Sequence, residues 1–363
     1  VFSIRFGQKD ENGLKEGMCA SFVLIASLTV ILNAAAFLGI DWILYFLRVP
    51  EEVYDGMKTY LLVIFAGLVA TSLYNFFSCL LRALGNSTVP LVFLAVSAVL
   101  NIGLDLLFVA VLPWGIAGAA FATVIAQYVS GIGITIYVLH SCKDLLPGKE
   151  ELCFDRGILG EIVNLSSLTC LQQSVMNFGI LMVQGLVNSF GATVMAAFAA
   201  AVKIDTFAYL PVQDFGNAFS TFVAQNYGAG NQERIRKGTR VAFAMSIGFS
   251  VMISVLVCLF AGPLMKIFVS GKEVAVIAAG VKYLRIEGAF YLGIGCLFLL
   301  YGYYRAIKRA EMSVVLTVIS LGLRVLLAYV LSVVFGEVGI WVAIPIGWVM
   351  ADVTGIVYMR RTW

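Results

Sequence analysis

Asn101 and Asp105 are four residues apart, so on a helix an amide and a carboxylate share one face. With the hydroxyl of Thr123 from the next segment, they make either an oxygen cage for a sodium ion or a protonatable acid held by its neighbours. The same acid can equally serve to pin two helices together. A second set follows in Lys203, Asp205, Asp214, Glu287 and Arg324, two cations and three acids in apolar surroundings. Lys203 and Asp205 are two residues apart and point to different helix faces, so they are not one ion pair. Asp214 follows Pro211, where a kink frees backbone groups. The expectation is that Lys203 and Arg324 each meet one of Asp205, Asp214 and Glu287, leaving one acid to titrate or to face a cation; a static network that fixes packing uses the same residues. Gln172, Gln173 and Asn177 form a polar patch, and Tyr209 and Tyr291 lie near the charges, where a ring stacked on an organic cation contributes about 0.5 to 2 kcal/mol.

These side chains matter because of what carries them. Of 363 residues 61% are hydrophobic and 12% charged, against about a quarter charged in a soluble domain, and the mean hydropathy is +0.96. Ten apolar stretches, at 18–47, 60–82, 88–111, 114–140, 158–188, 192–225, 238–262, 281–304, 311–335 and 338–359, are near or above the ~20 residues that cross a bilayer as a helix. Alternating ten-residue strands of a membrane barrel are absent, so the fold class is all-α and polytopic. An ionisable group at mid-bilayer costs on the order of 2.5 to 3.5 kcal/mol, which is why each one requires a partner, a wet cavity or a task.

Composition narrows the function further. The seven cysteines are scattered singly, which favours small buried side chains over metal or redox chemistry, and the lone histidine, His140, lies at the edge of a span. No Walker or dinucleotide motif supports ATP coupling, no convergent catalytic set supports an enzyme, and no repeated filter loop supports a channel. No cofactor is expected beyond a coupling ion, and no nucleic acid as partner. Most of the 24 Lys and Arg residues fall in the amino-terminal segment, in every second loop after it and in the carboxyl tail. The positive-inside rule then places both ends in the cytoplasm of a multi-pass cell-membrane protein.

The chain also repeats itself. Phe6-Gly7 and Gly17 match Tyr227-Gly228 and Gly238, Tyr60-Leu61 matches Tyr283-Leu284, Arg82-Ala83 matches Arg305-Ala306, and Gly115-Ile116 matches Gly339-Ile340, at offsets of 221 to 224. Six spans separate the copies, so they cross in the same direction as parallel repeats. The second copy has two spans before its Tyr-Gly loop that the first lacks. The expectation is thus four plus six spans of a twelve-span protein: an amino-terminal lobe at 1–140, a cytoplasmic linker at 141–157 that includes the Leu146-Pro-Gly-Lys break, and a carboxyl-terminal lobe at 158–363.

The runs Leu81-Arg-Ala-Leu-Gly-Asn-Ser-Thr-Val-Pro90, Asn101-Ile-Gly-Leu-Asp105, Gly115-Ile-Ala-Gly-Ala-Ala-Phe-Ala-Thr123 and Phe219-Ser-Thr-Phe-Val-Ala-Gln-Asn-Tyr-Gly-Ala-Gly230, in this order, resemble the multidrug and toxic compound extrusion (MATE) family. The resemblance implies two six-helix lobes in a V, a monomer in membrane lipid. Alternating access would export cationic or amphipathic organic compounds against Na+ or H+. It places Asn101, Asp105 and Thr123 in the cation site of the amino-terminal lobe, beside an aspartate on a first helix that this sequence lacks. Some branches carry a mid-membrane glutamate on the span at 158–188; here Glu161 is near its start, so the lobe-one acids are expected to dominate. A lipid-linked oligosaccharide flippase of the same superfamily is the alternative, and would call for a more cationic cavity.

Overall fold

The computed structural model describes residues 1–143 and 155–362. Every regular element among them is helical, and the chain divides into two compact units, Val1–Ile162 and Val163–Trp363. The first holds α1 (Phe2–Gln8), α2 (Glu11–Leu38), α3 (Ile40–Phe46), α4 (Glu51–Ala66), α5 (Leu68–Ala83), α6 (Thr88–Asp105), a π-helical turn (Leu106–Val111) and α7 (Gly115–Ser141). Helix α8 (Arg156–Asn188) begins in the first unit and continues into the second. The second goes on with α9 (Ala192–Gly228), α10 (Gln232–Phe268), α11 (Val274–Gly288), α12 (Tyr291–Ala306), α13 (Ala310–Phe335) and α14 (Glu337–Thr362). Residues 144–154 of the expected linker, with its Pro-Gly break, lie outside the described residues.

Among the described residues nine helices, α4 and α5 taken as one, are long and apolar enough to cross a membrane. The pair α11 and α12, bent by 51° at its break, makes a tenth crossing. The protein is therefore a multi-pass membrane protein. Its apolar side chains face outward as well as inward: Val30, Leu32, Val99, Ile102 and Leu259 are exposed, as suits helices bathed in lipid.

Helices start six or more residues ahead of the hydropathy reading in four places, α4 at Glu51 against 60 and α11 at Val274 against 281 among them. The first span, expected at 18–47, is a helix that starts at Glu11 and stops at Leu38, followed by the separate short α3. Asp10 starts it early by accepting a hydrogen bond from the Gly13 amide at 3.0 Å, ahead of the apolar run. The span at 238–262 likewise extends to Gln232–Phe268, with Asn231 accepting from the Arg234 amide at 3.0 Å. Charged residues in these first turns hide the extensions from a hydropathy window.

Those two caps are also one element of the repeat. Asp10 and Asn231 are 221 residues apart, and each follows a left-handed residue, Lys9 at φ 59° and Gly230 at φ 69°. Gly85 (φ 88°) and Lys308 (φ 62°), 223 apart, form a second matched corner. The breaks at Gly67 between α4 and α5 and at Phe290 between α11 and α12 are a third. Packing inside each unit uses close backbone approach. A Cβ on Gly131 of α7 would lie 2.5 Å from the Ala70 carbonyl oxygen of α5, and one on Gly302 of α12 would lie 2.5 Å from the Gly216 carbonyl oxygen of α9.

Candidate functional site

Each unit holds a polar cluster. In the first, α6 and α7 run side by side and Asn101 Nδ2 donates to Thr123 Oγ1 at 3.5 Å, while the Thr123 hydroxyl donates to the Ala119 carbonyl at 3.0 Å. Asp105 is one turn further on, the last residue of α6 before the helix widens into the π turn. Its Oδ1 is buried without a hydrogen-bond partner among the described residues. The three side chains are half-buried and leave oxygen lone pairs unclaimed, the chemistry of a site for a small cation or a proton. The π turn was not expected from the sequence, where Leu106–Val111 reads as a continuous apolar helix; such turns recur at functional sites.

The cluster of the second unit is built by the break between α11 and α12. That break ends α11 just after Glu287 and starts α12 at Tyr291, so both side chains turn toward Asp205 of α9. The Tyr291 hydroxyl donates to Asp205 Oδ1. Tyr283, one turn before Glu287 on α11, places its hydroxyl in hydrogen-bonding reach of both Asp205 and Glu287. Arg324 of α13 acts on both acids through space, without an ion pair within 4 Å, and its Cβ packs 3.3 Å from the position a Cβ on Gly347 would take. Asp205 and Glu287 are buried, and Asp205 Oδ2, Glu287 Oε2 and Arg324 Nε have no hydrogen-bond partner among the described residues. Behind them stands an aromatic wall: Tyr283 meets Trp341 edge to face at 4.8 Å, and Phe198 stacks on Trp341 at 5.4 Å. Two buried carboxyl groups therefore share the field of one half-buried guanidinium.

Lys203 and Asp214 stand apart from this cluster, contrary to expectation. Lys203 is exposed with Nζ 5.9 Å above the Phe268 ring, and Asp214 is exposed. Helical geometry gives the reason: residues two before and nine after Asp205 are each turned by about half a revolution from it. The polar patch on α8 divides as well, with Gln172 buried and Gln173 and Asn177 exposed. Tyr291 is fully engaged by Asp205, and Tyr209 stacks on Phe298 at 6.4 Å as part of the packing. Among the described cysteines only Cys296 is buried, so most are not the core side chains expected.

Sequence reasoning missed three residues. Tyr283 carries a legible signal, its four-residue spacing to Glu287. Asp352, a buried acid on α14, was equally legible as a charge in the last apolar stretch. Trp341 had no signal beyond its size. Among the described residues no group of three or more His, Cys, Asp or Glu converges as a metal site.

Comparison with known proteins fits this architecture. A family model described as MatE matches residues 1–107 and 168–330. The probable multidrug resistance protein YpnP of Bacillus subtilis (strain 168) is 31% identical over 366 residues, covering 99% of this chain and 80% of the relative. The probable multidrug resistance protein NorM of Thermotoga maritima is 26% identical over 327 residues, covering 86% of this chain and 68% of the relative. A crystal structure of a MATE in complex with MaL6 superposes with a TM-score of 0.94 at 21% identity, covering 100% of this chain and 82% of that one. By these matches and by its helical repeat, the chain belongs to the MatE family, multidrug and toxic compound extrusion proteins that are membrane transporters and not enzymes.

Proposed function

We propose that this chain works in multidrug efflux, exporting small cationic or amphipathic organic compounds by alternating access in exchange for Na+ or H+. The observation that carries the reading is the charge imbalance at Asp205, Glu287 and Arg324: two buried acids against one cation leave a place for one proton or one alkali ion. Binding that ion changes the charge of the site by one unit, and a bundle that packs differently in the two charge states couples ion movement to substrate movement. Asn101, Asp105 and Thr123 supply a second place for the ion in the first unit. The protein works as a monomer in the lipid of the cell membrane, with both ends of this chain in the cytoplasm.

Among the described residues of the second unit three acids are buried, Asp205, Glu287 and Asp352, and no Lys or Arg is. That sign suits an organic cation and opposes the anionic headgroup a flippase would carry. The test is ethidium export from everted vesicles driven by either a Na+ or a pH gradient. The double variant Asp205→Asn/Glu287→Gln should lose gradient-driven export while still binding ethidium. Export that keeps its ion dependence in that variant and in Asp105→Asn would overturn the reading.

A further inference from the structure

Asp352 lies on α14, eleven residues beyond Trp341, the member of the aromatic wall that packs on Tyr283; at 1.5 Å per residue this is about 16 Å along the helix. It is 9% exposed, and its Oδ1 is buried with no hydrogen-bond partner among the described residues. Its Oδ2 faces α12 where there is no side chain, 3.7 Å from the position a Cβ on Gly293 would occupy. Trp348, one turn earlier on α14, closes the same spot at 3.2 Å from that position.

The groups around it do not neutralise it. From α12 Cys296 and Tyr301 face it, and Tyr301 is engaged by Thr317 of α13. The charged residues of α13 are Glu311 and Arg324, and Arg324 is turned to Asp205 and Glu287. Those of α11 are Lys282, Arg285 and Glu287, with Lys282 paired to Glu337 at 3.6 Å at the far end of α14. Asp352 forms no ion pair with any of them. An ionised carboxylate in this place has one buried oxygen without a donor and no counter-charge among the described residues, and a thiol, a phenol and a glycine are poor company for an alkali cation that wants several oxygen ligands.

We infer that Asp352 is a proton-binding site of the second unit, separate from the Asp205–Glu287 cluster. The carboxyl carries a proton while the seam between α12 and α14 is closed and releases it to water when the seam opens. The inference adds a third place for a proton to the proposed exchange, and its test reads protonation directly, whether or not ethidium moves.

The experiment is pH-difference infrared spectroscopy of the purified full chain, following the carboxylic-acid C=O stretch and its shift in D2O. The wild type should show a protonated carboxyl at neutral pH that Asp352→Asn removes, that Asp352→Glu retains at a shifted frequency, and that Asp205→Asn/Glu287→Gln leaves in place. Should Asp352→Asn fold poorly, the Asp352→Glu shift alone decides. A band unchanged in both Asp352 variants, or one that follows added Na+ and ignores pH, would overturn the inference.

Discussion

Where α6 of the first unit presents Asn101, α13 of the second presents Arg324, 223 residues later. The corners around these positions match in backbone conformation, yet the chemistry they support differs. The first unit holds a half-buried amide and hydroxyl joined by one long hydrogen bond of 3.5 Å, with a half-buried acid one turn further on. The second holds buried acids, two tyrosine hydroxyls and a guanidinium. A repeated scaffold therefore preserves where a polar group enters the membrane interior and leaves its charge free to change. The lightly charged copy tolerates partial exposure, while the heavily charged one needs an aromatic wall and a bent span.

The sharpest way to break this contrast is to remove the guanidinium. Arg324→Met should leave two buried acids without a nearby positive charge and destabilise the protein, whereas Asn101→Met at the matching place should cost far less. Thermal melting of the detergent-solubilised variants measures both, and equal losses would mean that the two clusters carry the same electrostatic weight.

Packing offers a second comparison. Gly131 and Gly355 correspond at an offset of 224, but a Cβ on Gly131 meets the Ala70 backbone at 2.5 Å, while one on Gly355 meets the Leu300 side-chain end at 2.7 Å. Gly131→Ala should cost about 1 to 3 kcal/mol and Gly355→Ala less, because a leucine methyl can move and a carbonyl cannot. Chemical denaturation of the two variants checks the order. The caps come next. Asn231→Ala should cost about 1 kcal/mol, and Asp10→Ala more, since Asp10 also pairs with Arg5 at 2.8 Å; the same melts rank them.

The smallest effect is expected at Asp41 on α3, where hydrogen bonds from Lys58 and then Tyr54 hold an exposed carboxyl below the usual carboxylate range. A lowered folded-state value means that the link is present above the unfolded pKa of about 3.9 and fades as pH falls through the folded value. Melting temperature against pH for wild type and Asp41→Asn should thus differ slightly at neutral pH and converge in acid. A difference that grows in acid would contradict the assignment.

Much of the architecture was legible because a bilayer imposes one length and one hydrogen-bonding rule on every segment. The apolar stretches and the repeat followed from those constraints. Asp205, Glu287 and Arg324 were legible as costly charges, but which of the five charges meet was not, since that depends on helix rotation and on the break at Phe290. Lys203 and Asp214 were indistinguishable from Asp205 by composition and are separated from it only by their angle around α9. The π turn was invisible because one extra residue per turn leaves hydropathy unchanged.

The matched corners have a practical consequence. Gly230 holds its left-handed conformation freely, while Lys9, its counterpart, holds the same conformation at φ 59° with a side chain. Lys9 is exposed and lies outside every span. Borrowing the residue of the other copy, as Lys9→Gly, relieves that strain against the extra backbone entropy of glycine, for a net gain of a few tenths to about 1 kcal/mol. For a membrane protein that must survive extraction into detergent, the duplicated gene thus supplies its own consensus for engineering.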